Sequence, residues 1–161
     1  MLTPGTRAPD FTAPDQDGQA TSLEMLLSRG PLVLYFYPAD FTPGCTREAC
    51  FVRDIHAGLA AAGLTVAGVS PQDVISHRGF ADRHALPFTL LADVDKTLAR
   101  TYGVLGPFGL GIRRATFLIG TDHIIHDVVR ADLRIGRHEE FIRQALARRQ
   151  QPPHALPPAD R

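Results

Sequence analysis

No charge of either sign is in excess in this 161-residue chain: 17 lysines and arginines face 17 aspartates and glutamates. That balance leaves no electrostatic footprint for nucleic acid or an anionic membrane surface, and neither is expected as a partner. No stretch approaches the roughly 18 consecutive apolar residues of a membrane span. The start, Met1-Leu2-Thr3-Pro4-Gly5, lacks a basic region followed by an apolar run, so no secretory signal is read and the cytoplasm is the expected location. Cysteine is scarce, with only Cys45 and Cys50. In a reducing compartment structural disulfides are rare, and paired thiols more often do redox or metal work. Metal work meets a further lack. The histidines at 56, 77, 84, 123, 126, 138 and 154 are scattered, and no Cys-x-x-Cys or Cys/His pair has zinc spacing. No metal or cofactor is expected. No internal repeat or second domain is visible, and 44% hydrophobic with 21% charged residues suits one globular domain. We expect that domain over residues 1–150 and a disordered, proline-rich tail over 151–161.

What the chain does have is an apolar, β-rich run, 32–37, that stops at Pro38 and leads through a loop to a helix start. Thr42 reads as N-cap and Pro43 as first helical residue, which puts Cys45 in the first turn. Backbone N–H groups there have no intrahelical acceptor, and the macrodipole presents partial positive charge, so thiolate is favoured over thiol. Around this unit the patterns give an irregular lead-in over 3–20 and a short helix over 23–28 behind Thr21-Ser22. The run 32–37, apolar on both faces, reads as a central strand. A helix follows from Pro43 to about Ala62, then a strand at 64–70, a helix at 72–84 and an edge segment within 86–93. A short helix at 96–102, a glycine-rich loop at 105–111, a hairpin of strands 115–119 and 124–129, and an amphipathic helix at 138–149 complete the order. Strand, helix, strand, helix, hairpin and helix predict an α/β sandwich of the thioredoxin-like plan, with a central mixed β-sheet flanked by helices.

Pro38-x-x-x-Thr42-x-x-Cys45 resembles the active-site signature of the peroxiredoxins, and Cys50 five residues later resembles the bacterioferritin comigratory protein, or peroxiredoxin Q, subgroup. Ala8-Pro9-Asp10-Phe11, Leu86-Pro87-Phe88-Thr89-Leu90-Leu91, Tyr102-Gly103-Val104 and Arg114-Ala115-Thr116-Phe117-Leu118-Ile119 are similar to that subgroup's blocks, in its order. The tail past about residue 150 is not covered. Gly120 departs from the pattern, since relatives commonly carry Asp after the Phe-Leu-Ile run. The resemblance implies a peroxidase acting on hydrogen peroxide and organic hydroperoxides, with a thioredoxin-type dithiol as reductant and a monomer as the working form. It implies Cys45 as the peroxidatic thiol and Cys50 as the resolving thiol. Thr42 would place its hydroxyl near the sulfur and the peroxide, Pro38 would shield the site and hold its loop, and Arg114 would bind peroxide oxygen and favour thiolate. Arg113 would point to the opposite face of an extended strand. Glu48, one turn after Cys45, is left outside the candidate site because acidic residues favour a first helical turn in any case, and Arg53 reads as an ordinary surface charge.

The implied disulfide conflicts with the expected helix. A five-residue step in an unbroken helix rises about 7.5 Å and turns about 140°, leaving Cα atoms roughly 8–9 Å apart. A disulfide needs about 4.4–6.8 Å. The first turns are therefore expected to unravel after Cys45 is oxidised. Three rivals stand against the peroxidase: a metal site, without suitable spacing; thioredoxin-like disulfide exchange, which places its cysteines two residues apart; and a redox sensor using the same dithiol as a switch.

Overall fold

The computed structural model describes residues 1–151. Strands β1 (Thr12–Pro14) and β2 (Ala20–Ser22) pair antiparallel, and Asp15 closes their turn by accepting from Asp17 and Gln19 N–H at 2.8 and 2.9 Å. Ser22 caps α1 (Leu23–Leu27), its hydroxyl accepting from Met25 N–H at 3.1 Å. Next comes β3 (Leu32–Phe36), with every residue buried. Its side chains alternate between the two faces of the sheet. Leu32, Leu34 and Phe36 join one core with Leu23, Leu98, Tyr102 and Phe117, while Val33 and Tyr35 join another with Ala49, Val52, Phe80 and Ile142. A run with no polar face thus becomes the strand with a core on each side.

The remaining elements are α2 (Pro43–Ala61), β4 (Thr65–Ser70), α3 (Val74–His84), β5 (Thr89–Ala92), α4 (Thr97–Thr101), β6 (Ala115–Ile119), β7 (Ile125–Arg130) and α5 (Ile135–Gln150). The sheet order is β5-β4-β3-β6-β7, with β3, β4 and β5 parallel and β6 antiparallel to both β3 and β7. Helices α2 and α3 make the parallel crossovers. Residues of α1 and α4 pack on one face and those of α2, α3 and α5 on the other. This is the mixed, helix-flanked sheet expected of a thioredoxin-like sandwich.

Differences from the sequence reading are local. Helix α3 starts at Val74, because Asp73 takes the cap and accepts from Ser76 N–H at 2.8 Å. Gln72 is thereby freed for the loop before α2. Helix α5 starts at Ile135, three residues before the expected position. The glycine-rich loop holds a 3₁₀ turn, Pro107–Gly109, and a bridge between Leu105 and Ile112. The tail expected to be disordered lies, after Gln151, outside the described residues. Among the described residues no helix is long and apolar enough to cross a membrane.

Candidate active site

The loop from β3 to α2 is fastened to the next crossover by buried polar groups. Asp40 N–H donates to Gln72 Oε1 at 2.9 Å. The Asp40 carboxylate accepts from the Tyr37 hydroxyl at 2.6 Å and the Ser76 hydroxyl at 2.8 Å, and pairs with His77 Nδ1 at 2.8 Å. His77 Nε2 meets the Leu91 carbonyl at 3.0 Å. Burial pushes the Asp40 carboxyl up, but hydrogen bonds from His77, Tyr37 and Ser76 outweigh it and hold the group below the usual carboxylate range. Burial raises the Tyr37 phenol well above its ordinary value, so it stays a donor. Phe41, in the left-handed region at φ 63°, packs its half-exposed ring edge-on against Phe80 at 5.3 Å.

Thr42 occupies the N-cap position of α2 without capping it. Its hydroxyl donates instead to the Ala39 carbonyl at 3.0 Å, closing the loop, while its own carbonyl accepts from Thr46 N–H at 2.9 Å. The expected side-chain cap is therefore absent, and the N–H groups of the first turn face the site without a Thr42 oxygen on them. Pro38 is exposed, one residue past the buried Tyr37. Cys45, third in the helix, is 1% exposed. Gly44 beside it leaves room for two neighbours: a Cβ there would lie 3.3 Å from Ile135 Cδ1 and 3.4 Å from Arg114 Nη2.

Arg114 enters from the residue before β6. Its backbone N–H donates to Asp132 Oδ1 at 3.1 Å, its Nη2 donates to Cys45 Sγ at 3.1 Å, and its Nη1 donates to Glu48 Oε2. Arg113 turns the other way, to a half-exposed pair with Asp132 at 3.1 Å. The alternation of an extended chain separates the two arginines as expected.

Glu48, left outside the candidate site on sequence grounds, is fully buried and bonded to the same guanidinium that reaches Cys45. Burial raises its carboxyl to about 7, against the lowering influence of Arg114. Among the described residues its Oε1 has no hydrogen-bond partner, and it lies 4.0 Å from His138 Nδ1. His138 is also buried. It meets Thr116 Oγ1 at 2.9 Å through Nδ1 and the Ala131 carbonyl at 2.9 Å through Nε2. Burial lowers its pKa, so the ring is neutral, with Nε2–H donating to Ala131 and Nδ1 accepting from the Thr116 hydroxyl. The three-residue step from Cys45 to Glu48 puts both on one helix face. That spacing was the available signal for Glu48; nothing local signals the covering residues of α5.

Cys50 is half-buried, with Sγ 3.8 Å from His84 Nδ1 at the end of α3. Both thiols are free, and α2 passes through both positions without a break. Arg53, expected to be an ordinary surface charge, donates to the His84 carbonyl at 2.9 Å.

The AhpC/TSA family pattern matches residues 4–128. The chain belongs to the AhpC/TSA family. Within it, the relatives fall in the bacterioferritin comigratory protein and peroxiredoxin Q group. A putative peroxiredoxin bcp of Coxiella burnetii is 45% identical over 130 residues, covering 77% of this chain and 85% of that protein. The chloroplastic peroxiredoxin Q of Oryza sativa subsp. japonica is 38% identical over 138 residues, covering 85% of this chain, which spans 63% of that longer protein. Among solved structures, the peroxidoxin BcpB of Mycobacterium tuberculosis superposes with a TM-score of 0.84 at 37% identity, covering 93% of this chain and 97% of that one. The bacterioferritin comigratory protein of Xanthomonas campestris, described for its alkyl peroxide reduction activity, gives 0.79 at 30% identity, covering 87% and 92%.

Proposed function

We propose that the chain is a thiol peroxidase reducing hydrogen peroxide and organic hydroperoxides, with Cys45 as its peroxidatic sulfur. The observation that carries this reading is the Arg114 guanidinium donating to Cys45 Sγ at 3.1 Å within the first turn of α2. The sulfur meets positive potential from two directions, the guanidinium and the uncapped N–H groups of the turn. The thiolate attacks one peroxide oxygen, the O–O bond breaks, and the leaving oxygen takes a proton from solvent. Cys45 is left as a sulfenic acid. Negative charge moves from sulfur to oxygen in this step, so the Arg114 guanidinium beside the sulfur accelerates it by donating to the peroxide oxygens as their charge develops. Because the Thr42 hydroxyl spends its hydrogen on the Ala39 carbonyl, its oxygen is left to accept from the peroxide O–H. Pro38, exposed at the head of the loop, fixes the backbone there through its ring.

Cys50 resolves the sulfenic acid as an intramolecular disulfide after the first turns of α2 unwind, because an intact helix holds the two sulfurs' backbones too far apart. A thioredoxin-type dithiol then reduces the disulfide by thiol exchange. The working form is a cytoplasmic monomer. Turnover with reduced thioredoxin and either hydrogen peroxide or an alkyl hydroperoxide tests the reading. Peroxide-dependent oxidation of thioredoxin by wild type, lost in Cys45→Ser, is expected; equal turnover by Cys45→Ser refutes it.

A further inference from the structure

We infer that His84 is the general base for the resolving thiol, taking the Cys50 proton through Nδ1 and returning it to the departing hydroxide. The inference rests on the proposed resolving role of Cys50. The Sγ to Nδ1 separation is 3.8 Å, a direct contact for a large sulfur atom, across 34 residues of sequence. Nδ1 receives an S–H when the ring carries its proton on Nε2. The ring is held in place: its edge packs on Phe80 at 5.2 Å between centroids and 75° between planes, and the His84 carbonyl accepts from Arg53 Nη1 at 2.9 Å. Nucleophile, base and a group that orients the base are the three parts of an activated nucleophile.

The charges around the pair suit a proton transfer. His84 is the last residue of the 11-residue helix α3, at the negative end of that helix's macrodipole. From α2 the facing charge is Arg53, one turn after Cys50, itself paired with Asp54 at 3.0 Å. That cation favours the Cys50 thiolate left behind. Arg83, the neighbouring charge on α3 itself, is exposed.

The step balances without an outside reagent. The Cys50 S–H bond breaks and its proton goes to His84 Nδ1. The thiolate attacks Cys45 Sγ, the S–S bond forms, and the S–O bond of the sulfenic acid breaks. Hydroxide leaves and takes the proton from His84 as water, so the Cys50 sulfur is oxidised and the Cys45 sulfur reduced. The Arg53 bond to the His84 carbonyl also fastens the Cys50 turn of α2 to α3, so the segment that moves during unwinding is the one carrying Cys45.

The chain has no tryptophan to report these steps optically, so the test is rapid-quench alkylation with intact mass after one equivalent of hydrogen peroxide, from pH 5.5 to 8.5. An ordinary thiol is only a few per cent ionised at pH 7, so the whole gain open to a base is roughly 30-fold. In His84→Gln and His84→Asn, disulfide formation at pH 7 is expected to fall about 10- to 30-fold relative to the sulfenic acid step, and to climb close to tenfold per pH unit. Wild type is expected to depend on pH less steeply than either variant across the range. An unchanged rate, or a slower rate with the wild-type pH profile, overturns the base role. Should neither variant fold, a wild-type rate climbing tenfold per pH unit throughout overturns it as well. If wild type forms sulfenic acid but no disulfide, the resolving role of Cys50 has failed, a result distinct from any His84 effect.

Discussion

Arg114 serves two buried partners at once, and its removal separates their demands. In Arg114→Met, Cys45 Sγ loses a donor at 3.1 Å and Glu48 loses its one hydrogen-bonded side-chain partner among the described residues. A charge-assisted hydrogen bond is worth about 1.5–3 kcal/mol, or roughly 10- to 150-fold in the peroxide step. The stability cost depends on pH through Glu48. With its folded carboxyl near 7 against an ordinary 4.5, the native state keeps a proton that the unfolded chain has lost between those values. Glu48's contribution is thus fully present below about pH 4.5 and lost as pH rises through 7.

In the variant the lowering influence of Arg114 is gone, so the folded value moves higher and the loss continues into the alkaline range. The deficit relative to wild type is expected to be small at pH 5.5, where Glu48 is neutral in both proteins. By pH 8.5 it is expected to reach at most about 2 kcal/mol, because each pH unit above the wild-type value of about 7 adds about 1.4 kcal/mol. Urea unfolding at the two pH values measures it. Arg114→Met/Glu48→Gln is expected to recover most of the alkaline deficit, because no charge is then buried. A deficit equal at both pH values, or one that Glu48→Gln deepens, refutes the reasoning.

The loop anchor makes a second target. Asp40→Asn removes the carboxylate that accepts from Tyr37 and Ser76 and meets His77 Nδ1 and is expected to cost about 1.5–3 kcal/mol at pH 7. Because Asp40's folded carboxyl is held low, that contribution is present above the ordinary carboxylate range and lost in acid, so the melting temperatures of variant and wild type should draw together as pH falls below 3.8. Thr42→Val removes both the loop bond to Ala39 and the acceptor for the peroxide hydrogen, and should slow the peroxide step about tenfold where Thr42→Ser does not, read by competition with a reference peroxidase. Cys50→Ser leaves the sulfenic acid unresolved, and mass spectra under repeated turnover should show sulfinic Cys45 accumulating faster than in wild type.

The parts of the fold legible in the sequence were those with local signals. Residues 32–37 carry no polar face, and they became the strand with a core on each side. Ser22 before Leu23 and Pro43 after Thr42 marked helix starts that the structure shares, even though the Thr42 hydroxyl turned to Ala39. Helix α5 offers no cap to read, since Arg134 makes no side-chain capping bond, and it starts three residues before the position its sequence pattern predicts. Glu48 is not legible as a site residue, because a carboxylate early in a helix reads as a response to the macrodipole. Its burial comes from elements about 70 to 90 residues away, which bring Arg114 and His138 over it. The contact between Cys50 and His84, and the Tyr37, Asp40 and His77 cluster, likewise join residues that no spacing rule connects.

The most direct measurement is intact mass of the reduced protein within seconds of one equivalent of hydrogen peroxide, with Cys45→Ser alongside. Loss of two hydrogens in wild type, with no change in Cys45→Ser, is the expected result for attack by Cys45 and resolution by Cys50. Retention of both thiols in wild type for many minutes would contradict the central claim, leaving Cys45 and Cys50 an ordinary cysteine pair on one helix.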